Sequence, residues 1–531
     1  MRSWMKAVSS FSAIVGLTMI VSIAAPVEEG RKVQAAAGYT TPLPRMPSVA
    51  ELKTPVSTRI DRMQAPPCSG FIPPAVDLSH LTGQSMPEGV RAKDLPSRWD
   101  WREHAGVTPV KNQGPCGACY AFAAIANVES RLAVDGAGIY DLSENNAKEC
   151  NWERSGCGGG NYESLANLFS QKGLVLESCD PYVPDNVGCN DTCPYTKTLL
   201  DWRIISGYAV PDTEVLKAYI YEYGPVFTTL LIDETSGSFC RGFCEEFRDY
   251  DGSYTLFHTA RASQMASHAV LLVGWDDNLR HEEGNGGWIF KNSWGTDWGD
   301  NGYGTIAYGS ANIGMWSSFA YGWQGYDNNG YVMYYDEAGS SDNTSYKWGL
   351  CKFFPLVDGK AARVEFWTTA SSVGVDVYIY DDFDVETTTL GNLLHSELNH
   401  SYEDAGYHSV VLDPPLPVTA GDDVIVVVSF TKGDVLIDAH GPSEIQRTYV
   451  SKSGSNGSWM DLGPWGDAGI RLRMTDLAAP PPTFTPTPTP TPLPDVVVLH
   501  QFEGGGHLGE SVAGVGDVNR DGVPDLVAGA A

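Results

Sequence analysis

Apolar positions follow several successive patterns along this 531-residue chain. Arg2 and Lys6 precede an apolar run over about residues 7–25, and Ala35-Ala36-Ala37 follows. This order of charge, apolar stretch and small residues predicts a signal peptide over 1–37, the alternative being a retained single-pass anchor. Over 38–94 periodicity is lost and proline accumulates, as at Pro66-Pro67 and Pro73-Pro74, which predicts an extended leader or short propeptide. Over 95–324 helical spacing comes early and strand-like runs late. Phe122, Ile125, Val128 or Glu129, and Leu132 recur at helical spacing with Gly136 as a stop, so a helix begins near Cys119. Over 325–477 the pattern becomes alternation, as in Val375-Asp376-Val377-Tyr378-Ile379-Tyr380, Val424 to Phe430 and Ile470-Arg471-Leu472-Arg473-Met474. Such strands, separated by Gly, Pro and Asp turns, predict a β-sandwich. A Thr-Pro linker over 478–495 is too stiff and apolar-poor to bury a core, and 496–531 stands apart.

Length alone implies two or three domains. A formal charge of -30 argues against nucleic acid and anionic lipid surfaces as partners. Of 11 cysteines, Cys116, Cys119, Cys150, Cys157, Cys179, Cys189, Cys193, Cys240 and Cys244 crowd one region, while Cys68 and Cys351 lie outside it. An exported chain meets oxidants, and with Cys119 set aside the remaining eight form an even number. Parity does not give connectivity. Cys240/Cys244 and Cys189/Cys193 have tolerable metal spacing but lack the paired pattern of a zinc module.

A thiol at a helix start is stabilised as thiolate by the helix dipole and by a cationic neighbour. His268, entering the apolar run Ala269-Val270-Leu271-Leu272-Val273, could supply the imidazole, and Asn292 in Lys291-Asn292-Ser293-Trp294-Gly295 could orient it without adding charge. A lone histidine on such a strand is more often structural, so the set carries the reading.

Several motifs recur in a fixed order: Trp99-Asp100-Trp101-Arg102; Val107 to Gly114; Cys116-Gly117-Ala118-Cys119-Tyr120-Ala121-Phe122; Asp141-Leu142-Ser143-Glu144-Asn145; Gly156-Cys157-Gly158-Gly159-Gly160; Ser267-His268-Ala269; and Lys291 to Gly295 with Trp298-Gly299 and Gly302-Tyr303. Together they resemble the papain-like cysteine peptidases over roughly 95–321. The resemblance implies an α+β fold: a papain-like two-lobed catalytic domain, one helical lobe and one β-barrel-like lobe, followed by the β-sandwich domain. By position it makes Cys119 the nucleophile, His268 its acid/base partner, Asn292 the residue orienting His268 and Gln113 the oxyanion donor. Trp294 would shield the His268–Asn292 bond. Gly159 and Gly160 would pair with substrate backbone, and Tyr162, Ala266 and Ser267 would border the second subsite, which is expected to take an apolar or aromatic side chain. The resemblance also implies a Cys116–Cys157 bridge, with Cys150 pairing to one of Cys179, Cys189 or Cys193. Residues 233–262 look like an insertion in which Cys240 and Cys244 close a loop, and the leader lacks the long helical inhibitory pattern of many relatives.

The β-rich region resembles lectin-like domains. Trp348, Trp367, Trp459 and Trp465 are either a sugar-stacking surface or, more commonly, core residues. In the tail, Asp517, Asn519, Asp521 and Asp525 place oxygens at alternate positions around Gly522, which suits Ca²⁺ and resembles a single integrin-type repeat. One repeat cannot bury its own faces. The expected function is a secreted or cell-surface cysteine endopeptidase acting through a thioester acyl-enzyme. It needs no cofactor for catalysis and takes protein or peptide substrates, with carbohydrate or protein as the partner class of the C-terminal modules. The alternative is a catalytically silent adhesion protein.

Overall fold

The computed structural model describes residues 70–478 except 77, 79–80, 82–84, 233–241, 260–265 and 464, and the backbone of strands Leu508–Gly516 and Asp525–Ala530. The expected signal peptide and residues 479–495 of the Thr-Pro linker lie outside the described residues.

Helix α1 (Cys119–Val134) is buried on nearly all sides, as its apolar and small residues demand, and Cys119 is its first residue. It ends before Gly136, whose φ of 74° suits the reversal there. Helices α2 (Glu144–Cys150), capped by the Ser143 side chain, and α3 (Tyr162–Gln171), capped by Asn161, complete the helical lobe. Helices α4 (Thr213–Tyr223) and α5 (Phe243–Arg248) pack elsewhere around the sheet. Cys116–Cys157, Cys150–Cys189 and Cys179–Cys193 are bridged, and Cys119 belongs to none of these bonds. Cys244 is also disulfide-bonded, whereas Cys240 lies outside the described residues.

The strands of the first half are β1 (Tyr195–Ile204), β2 (Val226–Leu230), β3 (His268–His281), β4 (Gly284–Lys291), β5 (Tyr303–Ala307) and β6 (Met315–Gly325). The second half adds β7 (Tyr331–Met333), β8 (Trp348–Phe353), β9 (Gly359–Thr368), β10 (Val373–Asp384), β11 (Thr389–Tyr402), β12 (Ala405–Val418), β13 (Val424–Phe430), β14 (Thr448–Ser451), β15 (Met460–Asp461) and β16 (Ile470–Thr475). One sheet runs β5-β4-β3-β2-β6-β1-β12-β9-β16-β7 and a second runs β11-β10-β13-β8-β14-β15, all antiparallel. The faces of β9, β12 and β16 meet those of β8, β10 and β13 in a Val- and Phe-rich core, so the sandwich forms as expected.

One sheet of that sandwich continues the sheet of the first half. β12 pairs with β1 through Ala405↔Ile204, Gly406↔Arg203 and Tyr407↔Trp202. A Cβ on Gly406 would lie 2.2 Å from the Trp202 carbonyl oxygen, which explains the glycine at this close approach. Trp367, one of the four tryptophans considered for sugar stacking, is buried edge-on against Trp202 at this junction. Trp459 is buried with Leu350 and Tyr449, while Trp465 is 52% exposed. The four therefore do not make one surface.

Candidate active site

Cys119 is fully buried, and its sulfur accepts the Ala269 backbone N–H at 3.4 Å. An amide donor and the positive end of α1 thus both face the thiol, the arrangement that stabilises a thiolate. Ala269 follows His268, which opens β3. His268 Nε2 lies 2.8 Å from Asn292 Oδ1, directly beyond the end of β4, so the β3–β4 hairpin brings the two together. Donation from Nε2–H to this amide oxygen sets the tautomer that leaves Nδ1 as the other ring nitrogen's acceptor site. Asn292 Oδ1 also accepts the Ser293 N–H at 2.9 Å.

Trp294 lies over this pair, with its ring 5.1 Å from that of His268. Phe247 of α5 stands 5.8 Å from the His268 ring and edge-on to Trp294, and its carbonyl accepts the Trp298 indole N–H at 2.8 Å. Part of the stretch read as an insertion therefore lines the aromatic wall of the site. Gln113 is fully buried. Its amide donates to the Cys116 carbonyl at 2.8 Å and its Oε1 accepts the Ser293 hydroxyl at 2.6 Å. The amide is thus fixed between the loop before α1 and the loop after β4.

The cleft is occupied by the chain itself. Gly160 N–H donates to Gly70 O and Ile72 N–H to Gly160 O, both at 2.9 Å, pairing Phe71 with Gly160 in parallel. The Ser267 carbonyl accepts from Gly70 and Phe71 at 3.0 and 3.1 Å. Gly159 lies beneath the Gly70 carbonyl, which a Cβ there would approach to 2.8 Å. Phe71 packs on Trp316 at 5.2 Å, and Ala266 belongs to the same buried cluster. Tyr162 points inward, its hydroxyl donating to Asn127 Oδ1 at 2.9 Å, so it supports the strip from below instead of bordering the cleft. Nothing in the Pro-rich leader singled out Phe71, and Trp316 carried no motif; only their contact marks them.

Behind α1, Lys111 Nζ reaches Glu129 at 3.0 Å and Asp141 and Glu144 at 2.8 Å. Thr108 donates to Glu129 at 2.5 Å and accepts from Lys291 Nζ at 3.1 Å. Burial lowers the Lys291 ammonium to about 8, against opposing carboxylate charges. This cluster joins α1, the Gln113 segment and the strand leading to Asn292.

Asp517, Asn519 and Asp521 lie outside the described residues. Asp525 opens a strand paired antiparallel with Leu508–Gly516, and nothing is described of its side chain.

Residues 95–323 match the family described as papain family cysteine protease, and residues 332–468 match the lectin like domain. The chain is 34% identical to the viral cathepsin of Heliothis zea nuclear polyhedrosis virus, over 39% of this chain and 52% of that protein. It is 36% identical to a cysteine proteinase of Trypanosoma brucei brucei, over 40% of this chain and 44% of that protein. The matched stretch thus spans about half the length of these relatives. The cysteine protease and lectin-like domains of Cwp84, a surface layer associated protein of Clostridium difficile, superpose with a TM-score of 0.61 at 18% identity, covering 79% of this chain and 95% of that one. That likeness concerns the fold. Among the described residues no helix is long and apolar enough to cross a membrane.

Proposed function

We propose that this chain is an exported, thiol-dependent endopeptidase that hydrolyses peptide bonds through Cys119, His268 and Asn292. The observation carrying this reading is the shared geometry of Ala269 N–H on the Cys119 sulfur and Asn292 on the His268 ring. The Cys119 thiolate attacks the scissile carbonyl carbon, forming an S–C bond and an oxyanion. The Gln113 amide and the Cys119 backbone N–H stabilise that oxygen. Protonated His268 donates to the leaving amine as the C–N bond breaks, giving a thioester. His268 then takes a proton from water, whose oxygen attacks the thioester; the acid product leaves and the thiolate is regenerated.

In this reading the leader residues Gly70, Phe71 and Ile72 form a strap that keeps the cleft closed until it is removed. Phe71 in the Trp316 pocket supports an apolar or aromatic preference at the second subsite. Secretion, residence at a cell surface and binding of carbohydrate or protein by the lectin-like domain belong to the same proposal, as does Ca²⁺ at Asp517, Asn519, Asp521 and Asp525, which rests on sequence. The silent-adhesion alternative is not favoured, because all four catalytic positions are filled.

The test is cleavage of an unfolded protein by the full-length chain under reducing conditions. Cys119→Ala abolishes it, and activity that survives in this variant would sink the mechanism. Gly70→Ala hastens its onset, because a Cβ at Gly70 would lie 2.2 Å from the Gly117 carbonyl oxygen and force the strap out of the cleft.

A further inference from the structure

We propose that the lectin-like domain positions the substrate-pairing strip of the peptidase through a clamp on helix α3, with Arg471 as the positioning residue on one side and Asn167 on the other. The inference rests on the peptidase reading and assigns a peptidase role to a domain outside the catalytic fold.

Gly160, whose N–H and C=O pair with the strap, stands one residue before Asn161, the N-cap of α3. The position of the strip is therefore the position of the helix start. The helix is a rod of about 15 Å, and its far half is gripped by the second domain. Arg471 Nη2 donates to Asn167 Oδ1, and Asn167 Nδ2 donates to the Glu337 carbonyl at 3.3 Å. Gln171 Nε2 donates to the Asp336 carbonyl at 2.9 Å, and Arg473 Nη2 to the Ser170 carbonyl at 2.9 Å.

Arg471 is itself fixed from behind. Its Nε and Nη2 reach Asp336 at 2.8 and 2.7 Å, both side chains are fully buried, and its guanidinium lies 5.1 Å from the Tyr407 ring centre. On another side of the helix Tyr162 packs edge-on against Trp202, which meets Trp367 and Tyr407 of the second domain. A ten-residue helix so held has little freedom to rock, and rocking would displace the Gly160 amide and carbonyl that pair with peptide backbone. Cys119, His268 and Asn292 sit on α1, on β3 and beyond β4, and neither Asn167 nor Arg471 bonds to any of them. Loosening the clamp therefore weakens peptide pairing and leaves the chemistry of the thiol in place.

Asn167→Ala tests this without exposing a buried charge, since Arg471 keeps Asp336; Arg471→Lys, which keeps the charge but loses the fork, is the second variant. In full-length Cys119→Ala protein, where the strap stays uncut, hydrogen exchange at the Gly160 and Ile72 amides rises about tenfold in either variant while amides inside α1 hold. With Cys119 restored, KM for a peptide rises about three- to tenfold with kcat unchanged. Exchange that rises equally in α1, or unchanged exchange at Gly160 and Ile72, overturns the proposal. Wild-type protein that hydrolyses nothing refutes the peptidase reading, and the exchange measurement still decides the clamp.

Discussion

The ion cluster behind helix α1 is built on lysines, whereas the clusters at the domain junction are built on arginines. In the first, Lys111 and Lys291 converge through Glu129 and Thr108, and the Lys291 ammonium is pushed down to about 8 by burial. In the second, Arg471 pairs with Asp336, and Arg473 and Tyr407 both meet Glu365. Burial lowers the Arg471 guanidinium, but the Asp336 charge outweighs it and holds it above its ordinary value. The link between α1 and β4 therefore changes charge in mildly alkaline solution, while the link between α3 and the second domain does not. A guanidinium also bonds through two parallel N–H groups where an ammonium bonds as a point. Orientation across the junction is thus fixed by forked, permanently charged pairs, and cohesion behind α1 by a group that titrates.

The contrast breaks most visibly at Arg471. Arg471→Met leaves the Asp336 carboxylate buried without its cation and lowers unfolding free energy by about 3–5 kcal/mol in urea titrations. The double variant Arg471→Met with Asp336→Leu loses much less, and equal losses would mean the two charges are not coupled. Next comes the alkaline limb. Lys291 has a folded-state pKa of about 8 against an ordinary 10.5, so between these values the unfolded chain binds more protons and stability rises with pH. The rise is worth about 3 kcal/mol, and it vanishes in Lys291→Met when urea midpoints are compared from pH 7 to pH 10. A rise that persists in the variant assigns it to other groups. Asn167→Ala lowers thermal stability by about 1 kcal/mol through its lost hydrogen bonds. Smallest is the effect of salt: melting of wild type and of the Arg471/Asp336 double variant shifts equally with added NaCl, because mobile ions do not reach a fully buried pair.

Local chemistry made the proposed catalytic set legible. Cys119, Gln113, His268 and Asn292 each sit within short motifs, and the helix expected behind Cys119 begins at that residue. The strap was not legible, because an extended segment has no period and its partners Gly160 and Ser267 are fixed only by the folded cleft. The junction escaped for a related reason. Alternation in Ile470-Arg471-Leu472-Arg473-Met474 marks a strand with an apolar face and a charged face, which ordinarily means solvent on one side. All five residues are buried, since the sandwich core covers one face and α3 the other. Pairing of β1 with β12 joins residues far apart in sequence, and a strand carries no local sign of which distant edge it will join. The bridges Cys150–Cys189 and Cys179–Cys193 likewise depend on loop paths that spacing does not encode.

The pairing of Ile204, Arg203 and Trp202 with Ala405, Gly406 and Tyr407 has a mechanical consequence. Neighbouring strands joined along their lengths resist tension as a lap joint does, with their amide bonds loaded in shear and sharing the force. Tension along these strands that would draw the two halves of the chain apart therefore falls in part on the backbone hydrogen bonds of these three pairs, loaded together rather than one at a time.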